Sequence, residues 1–351
     1  MVRRTELPRR RTLQDVAGAL GLTVNTVSRA LNDKPGVSAS TRALIKAEAE
    51  RIGYVPNVHA RSLVLGSRKT IGVIVTDLAN PFFNDLVSEI EEQAIGAGYA
   101  LMLLLSDEDP DRERAAVDTA LRAGVDGVIG VPVQGRGNPW SVIEKAGIPL
   151  VLAAREVPEL DVDFYSNDNE AGRRMTTDVI IERGARDILV IEEDLRISTV
   201  AHRVTGYRHA LERHGIAFDS HNILLVPSRR TMRGASLWRG EDAYRVTSEL
   251  LDSGRRPDAF IVGNDYFAPG LYTALRERGI RIPEDVLVIG WGDYPFSRFL
   301  DPPLSTLRLP SVEVARRAST RMLQLLDGTA EPGRVVDYIQ PELVLRGSTH
   351  R

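Results

Sequence analysis

Apolar positions divide the chain into two regimes. Before residue 55 they recur with helical spacing: Leu13, Val16, Ala17 and Leu20 in one segment, Val27, Ala30 and Leu31 in the next. Thr12, followed three residues later by Asp15, reads as a capping box. Gly21 permits a tight turn, and Thr23 can cap the second segment. Asn25, Ser28, Arg29 and Asn32 fall on one face of that segment, opposite its apolar side. After the turn-rich loop NDKPGV, a third helix opens at Ser38 or Ser40 and runs to about Ile52, with Leu44, Ile45 and Ile52 apolar. From Thr70 onward the pattern changes. The runs TIGVIV, ALMLLL, GVIGV, PLVLAA, ILVIEE, ILLVP, AFIVG and VLVIG read as buried parallel strands. Helical stretches such as Phe83–Ile95, Asp111–Ala123, Glu170–Arg183, Arg203–His214 and Asp242–Ser253 lie between them. This predicts a small all-α helix-turn-helix headpiece, then an α/β body of doubly wound parallel sheets in two lobes.

Charge separates the same two regions. Residues 1–69 hold 13 Lys and Arg against 5 Asp and Glu, a net +8, while the rest of the chain is net −11. A basic head on an acidic body suits a phosphate-binding module joined to a domain that does not touch DNA. A helix apolar behind and Asn/Ser/Arg in front suits the major groove, where Arg reads guanine and Asn reads adenine. A solvated amphipathic helix pair would show the same pattern. Residues 1–11 read as a basic, disordered arm. Tyr54-Val55-Pro56-Asn57 interrupts the helical pattern, and residues 57–63 could form two turns, too short to be stable alone; such a segment is expected to fold on DNA.

With no cysteine, disulfides, thiolate chemistry and Cys-ligated zinc are excluded. There is no apolar run of membrane-spanning length and no signal-peptide core, so a cytoplasmic protein with no membrane partner is expected. The six histidines show no metal-ligand spacing, and neither a GxSxG nor a P-loop motif occurs. Gly96-Ala97-Gly98 reads as a helix C-terminal cap. No catalytic set, metal or cofactor is expected.

DVA…G…TVSRALN, VSASTR, GYVPN, Ala60 to Leu63, DLANPFF, GVDGVI, NDNEAG, NDYFAPG and ELVLRGST follow one another along the chain. In this order and spacing the sequence resembles the lactose-repressor family of transcription regulators over essentially all of residues 11–349. The resemblance implies a DNA-binding headpiece (12–56), a hinge helix and linker (57–69) and an effector-binding, dimerising body (70–351). The body's first lobe would span about 70–167 and 308–337, its second about 168–307 and 338–351. DNA-binding candidates are Thr12, Thr23, Val24, Asn25, Thr26, Ser28, Arg29 and Asn32. In the implied hinge helix Asn57 and Ala60 approach the minor groove and Leu63 levers open a base step, with a core position in a short helix as the lesser alternative for Leu63. The body resembles a periplasmic sugar-binding protein closing on a small effector. Effector-binding candidates are Asp77, Asn80, Phe82, Arg155, Thr199, Arg203, Trp238, Asn264, Asp265 and Asp293. Trp238 could instead be core, Asn264 and Asp265 helix caps, and Asn80 a turn former.

Two departures bear on the ligand. Many relatives carry Asp where this chain has Ala154, and a second Asp where it has Gly292. With Arg155 and Arg203 retained, the cleft is expected to favour a sugar acid or sugar phosphate over a neutral sugar; Gly292 could also answer a backbone need. The resulting expectation is a homodimeric repressor of carbohydrate or sugar-acid catabolism genes on a palindromic operator. A dimer rather than a tetramer is expected because the chain ends soon after its last family motif. A corepressed or global regulator, or a sugar-sensing enzyme with a vestigial headpiece, is the alternative.

Overall fold

The structure is a computed structural model and describes residues 11–55, 67–135, 137–227 and 240–350. The expectations at Asn57, Ala60, Leu63 and Trp238, and for the basic arm up to residue 10, lie outside the described residues. The chain forms two compact units, Met1–Arg68 and Lys69–Arg351.

In the first unit α1 (Leu13–Leu20), α2 (Val24–Leu31) and α3 (Ala39–Arg51) enclose a small core. Val16, Ala17, Val27, Ala30, Ile45 and Ala49 are buried there, with Leu13, Leu20, Leu31, Ile52 and Tyr54 packed around them. Each helix starts where the sequence allows a cap. Thr12 and Asp15 form the reciprocal capping box, and Gly21 takes φ 63° to close α1. Thr23 Oγ1 accepts from Thr26 N, and Ser38, not Ser40, caps α3 by accepting from Thr41 N. Leu44, expected on the apolar side of α3, is 56% exposed.

The second unit has two lobes. In the first, β1 (Thr70–Val75), β2 (Ala100–Leu105), β3 (Gly127–Gly130), β4 (Leu150–Ala153) and β5 (Asp163–Asn167) alternate with α4 (Pro81–Gly96), α5 (Pro110–Ala123) and α6 (Ser141–Lys145). The second lobe contains α7 (Asn169–Glu182), β6 (Ile188–Glu193), α8 (Ser198–Arg213), β7 (Ile223–Val226), α9 (Gly240–Asp252), β8 (Ala259–Val262), α10 (Ala268–Glu277) and β9 (Leu287–Ile289). After β10 (Thr306–Arg308) the chain returns to the first lobe as α11 (Ser311–Asp327) and β11 (Val336–Ile339), then re-enters the second as β12 (Glu342–Val344). The sheet orders are 2-1-3-4-5-11 and 7-6-8-9, parallel throughout, while β10 and β12 form an antiparallel pair.

All eight apolar runs read from the sequence are strands. β5 (DFYSN) was not among them because its burial rests on polar pairing. Asp163 accepts from Arg321 Nε at 2.8 Å and Val335 N at 2.6 Å, so a strand with three polar residues is fully buried. β11 belongs wholly to the first sheet, so the chain leaves that lobe after Ile339, not after 337. Among the described residues no helix is long and apolar enough to cross a membrane.

Candidate functional site

On the headpiece, α2 carries the polar face. Val24, Asn25 and Asn32 are exposed, Thr26, Ser28 and Arg29 half-buried, over buried Val27 and Ala30. Thr12 and Thr23 are occupied as caps at the starts of α1 and α2. Arg29 is folded back: its Nε donates to Pro35 O at 3.1 Å and its Nη2 donates to the same oxygen. Asn32 Nδ2 donates to Ser28 O at 2.8 Å. The following loop is tied to α3, since Arg42 and Lys46 both donate to Asp33 Oδ1. Those bonds hold the Asp33 carboxyl below its usual range, Lys46 contributing most.

The cleft between the lobes of the second unit is walled by the carboxyl ends of strands. Asn80, Phe82, Arg155, Thr199, Arg203 and Asn264 all line it. Asn80 caps α4, accepting from Phe82 N at 3.1 Å, and its Oδ1 also accepts from Tyr294 Oη at 2.8 Å. Asn264 accepts from Tyr266 N and donates to Tyr294 Oη at 3.1 Å. Tyr294 thus joins a first-lobe loop to a second-lobe loop, and both asparagines serve as caps as well as walls.

Three expected contacts do not reach the cleft. Asp77 Oδ1 accepts from Ala79 N and Asn80 N, each at 2.9 Å, and so shapes the loop that presents Asn80. Asp265 is fully buried and accepts from Trp291 N, Tyr294 N, Ser297 Oγ and Thr306 Oγ1. With its acceptors committed within the chain, Asp265 is a structural hub. Burial nonetheless pushes its carboxyl above the ordinary range against those four bonds. Asp293 accepts from Arg308 at 2.8 Å and Arg346 at 2.5 Å.

The expected bias toward anions loses its electrostatic ground. Arg155 is buried and bidentate to Glu108, at 2.9 and 2.6 Å. Arg203 donates to Glu192 Oε1 at 2.9 Å, and Arg173 donates to Glu192 Oε2 at 3.1 Å. Arg155 thus faces Glu108, Arg203 and Arg173 share Glu192, and Glu193 also lines the wall, so three guanidiniums stand near three carboxylates. Burial pulls Arg173 down to about 10, still protonated at neutral pH. Arg173 and Arg203 both lie over the Trp291 ring, 5.0 and 5.2 Å from its centroid, which fixes the aromatic wall. One of the two departures follows backbone need: Gly292 has φ 136°. Ala154 has φ 63°, a conformation Asp adopts more readily than Ala, so the backbone does not explain that departure. A Cβ at Gly292 would lie 2.7 Å from the Tyr294 ring.

Glu192, Glu193, Asn167, Asn169, Trp291 and Tyr294 also line the cleft and were not singled out. The acid pair had a legible signal: ILVIEE is an apolar run ending in two carboxylates where α/β folds bind ligands. Tyr294 had none, since its role depends on a loop meeting Asn80 across the lobes.

Residues 12–57 match the family described as bacterial regulatory proteins, lacI family, and residues 177–349 match a periplasmic binding protein-like domain. The ribose operon repressor of Haemophilus influenzae is 30% identical over 340 residues, covering 97% of this chain and 98% of that protein. The transcriptional repressor PurR of Pasteurella multocida is 27% identical, covering 96% and 98%. The lac repressor dimer bound to operator and the anti-inducer ONPF superposes with a TM-score of 0.84 at 25% identity, over 97% of this chain and 99% of that one. A CelR–cellobiose complex matches with a TM-score of 0.70 at 27% identity, over 97% and 100%. This chain belongs to the lacI family of bacterial regulatory proteins and is a DNA-binding transcriptional repressor, not an enzyme.

Proposed function

We propose that the protein binds a palindromic operator as a homodimer and that a neutral, polyhydroxylated carbohydrate held between the lobes sets its operator affinity. The observation that carries the DNA half is the polar face of α2, with Asn25, Ser28, Arg29 and Asn32 outward and Val27 and Ala30 buried behind. The effector half is supported by a cleft that combines the aromatic walls Phe82 and Trp291 with amides at Asn80 and Asn264 and the cation of Arg203. The carboxylates Glu192 and Glu193 in the wall favour hydroxyl groups over an acid, because an added anion would lie beside them. The genes controlled are then those of carbohydrate catabolism. Operator selection from random-sequence DNA, followed by bandshifts titrated with neutral sugars, is the test. A two-half-site sequence whose complex responds to a sugar is expected. A selected site without twofold symmetry, or a complex indifferent to every sugar, would overturn the corresponding half of the proposal.

A further inference from the structure

We infer that Tyr294 is a built-in competitor for the effector: its hydroxyl holds the amides of Asn80 and Asn264 and ties the lobes together, so a ligand enters the cleft by displacing it. The competition rests on the cleft being the effector site, as proposed above; the tie between the lobes does not.

Tyr294 stands on the loop after β9, in the second lobe, and is 5% exposed. Its backbone N donates to Asp265 Oδ2 at 3.2 Å, so the fully buried carboxylate that orders this loop also fixes where the side chain begins. From there the ring lines the cleft, and Oη donates to Asn80 Oδ1 at 2.8 Å, just before α4 of the first lobe. The same Oη accepts from Asn264 Nδ2 at 3.1 Å. One hydroxyl thus serves the two cleft amides as donor and as acceptor, the same pair of bonds that a sugar hydroxyl can make with them. Each amide is also held from its own side, Asn80 Oδ1 by Phe82 N at 3.1 Å and Asn264 Oδ1 by Tyr266 N at 2.9 Å. Their placement is therefore set locally and does not depend on which hydroxyl they meet.

The local sequence makes room for this arrangement. The Tyr294 ring lies where a side chain at position 292 would stand, 2.7 Å from the Cβ that Gly292 lacks. Tyr266 braces it, with ring centroids 4.9 Å apart, and itself stacks on Phe296 at 5.4 Å. The Tyr266 hydroxyl donates to Ala79 O at 3.4 Å, so two tyrosines of the second lobe reach adjacent residues of the first. The space left between the cleft walls is about 90 Å³. Small-molecule sites ordinarily have roughly 300–1,000 Å³, so an effector needs more room than the walls leave. Turning the Tyr294 ring outward adds volume and releases both amides in one movement. Apparent effector affinity is then reduced by the fraction of molecules in which the ring is turned out.

The test is Tyr294→Phe in the full-length protein, which keeps the ring and removes both hydroxyl bonds. Hydrogen exchange without added sugar reads the tie: the Phe82 and Tyr266 amides should exchange about threefold to tenfold faster. Calorimetry with ribose, glucose, galactose and lactose reads the competition. Any of these that binds the wild-type protein should bind Tyr294→Phe about threefold to tenfold more tightly, whereas a tyrosine that merely supported the wall would give weaker binding. Unchanged exchange at both amides overturns the tie, and a sugar that binds the variant no more tightly overturns the competition while leaving the cleft-effector reading standing. If no sugar binds either protein, the competition falls together with the cleft-effector reading, and the exchange result still decides the tie.

Discussion

Two arginines that look alike in the sequence do different work. Arg155 is 3% exposed and locked onto Glu108, whereas Arg203 stands at the cleft wall and shares its carboxylate with Arg173. Arg155→Ala should therefore act on the fold, destabilising the body by about 3–5 kcal/mol because Glu108 is left buried and unpaired. Arg203→Ala should weaken effector binding with a smaller loss of stability. Urea unfolding and calorimetry on both variants separate these outcomes, and an unchanged unfolding midpoint for Arg155→Ala would refute the structural assignment. On α2, Arg29 must leave the Pro35 carbonyl before it can reach a base. Arg29→Ala should cost about 1–3 kcal/mol on the selected operator and relax discrimination at one base pair per half-site. An equal loss on random DNA would make Arg29 a phosphate contact.

At the scale of the elements, short helices depend on their ends. α2 has eight residues, and Thr23 supplies its side-chain cap. Thr23→Ala should lower headpiece stability by about 1 kcal/mol, read as an earlier melting transition of that unit. α5 is tied to the end of β3 by Glu113, which accepts from Val133 N at 2.6 Å and Trp140 Nε1 at 3.0 Å. Burial still pushes the Glu113 carboxyl above its ordinary value, outweighing those bonds. In the pH window from that ordinary value up to the raised one, the folded state binds the extra proton. The stability this group contributes is therefore greatest at the acid end and falls as pH rises through the folded pKa. Glu113→Gln should flatten the fall of the urea midpoint as pH rises above the ordinary carboxylate value; an unaltered slope would contradict the assignment. The sequence disclosed the caps of α1 and α2 and all eight apolar strands because those signals are local. It could not disclose β5, whose burial depends on Arg321 from α11, distant in sequence. The cleft was legible in the same partial way. Asn80 lies just after β1, and Phe82 and Thr199 in the first turns of the helices that follow β1 and β6, where a strand-end rule looks, but the partners Glu108 for Arg155 and Glu192 for Arg203 emerge only from tertiary pairing.

For the molecule as a whole, two headpieces on a twofold axis require operator half-sites in mirrored order at a fixed separation. Inserting five base pairs between the half-sites turns one by roughly half of the 10–10.5 bp helical repeat and should lower affinity steeply. Restoration by a ten-base-pair insertion would indicate that facing matters more than distance. Linkage adds a second requirement. Whatever factor the effector applies to operator affinity, the operator must apply to effector affinity. Calorimetric titration of the effector with and without operator DNA measures it, and unequal factors would mean that a further state is involved.

The threading of the chain also sets an order of assembly during synthesis. The three-helix core is finished by Tyr54, whereas the first lobe lacks part of its core until α11 and β11 have emerged. Val314, Ala315, Ala318 and Met322 of α11 are wholly buried against that lobe's sheet and helices. At about 5–20 residues per second, the gap between the two events is on the order of 15–60 seconds. Throughout that interval a nascent chain carries a complete headpiece ahead of an unfinished ligand sensor. A message broken between the codons for Tyr54 and Val336 would release a product of that kind permanently, with its DNA-reading unit intact and no complete ligand-sensing domain.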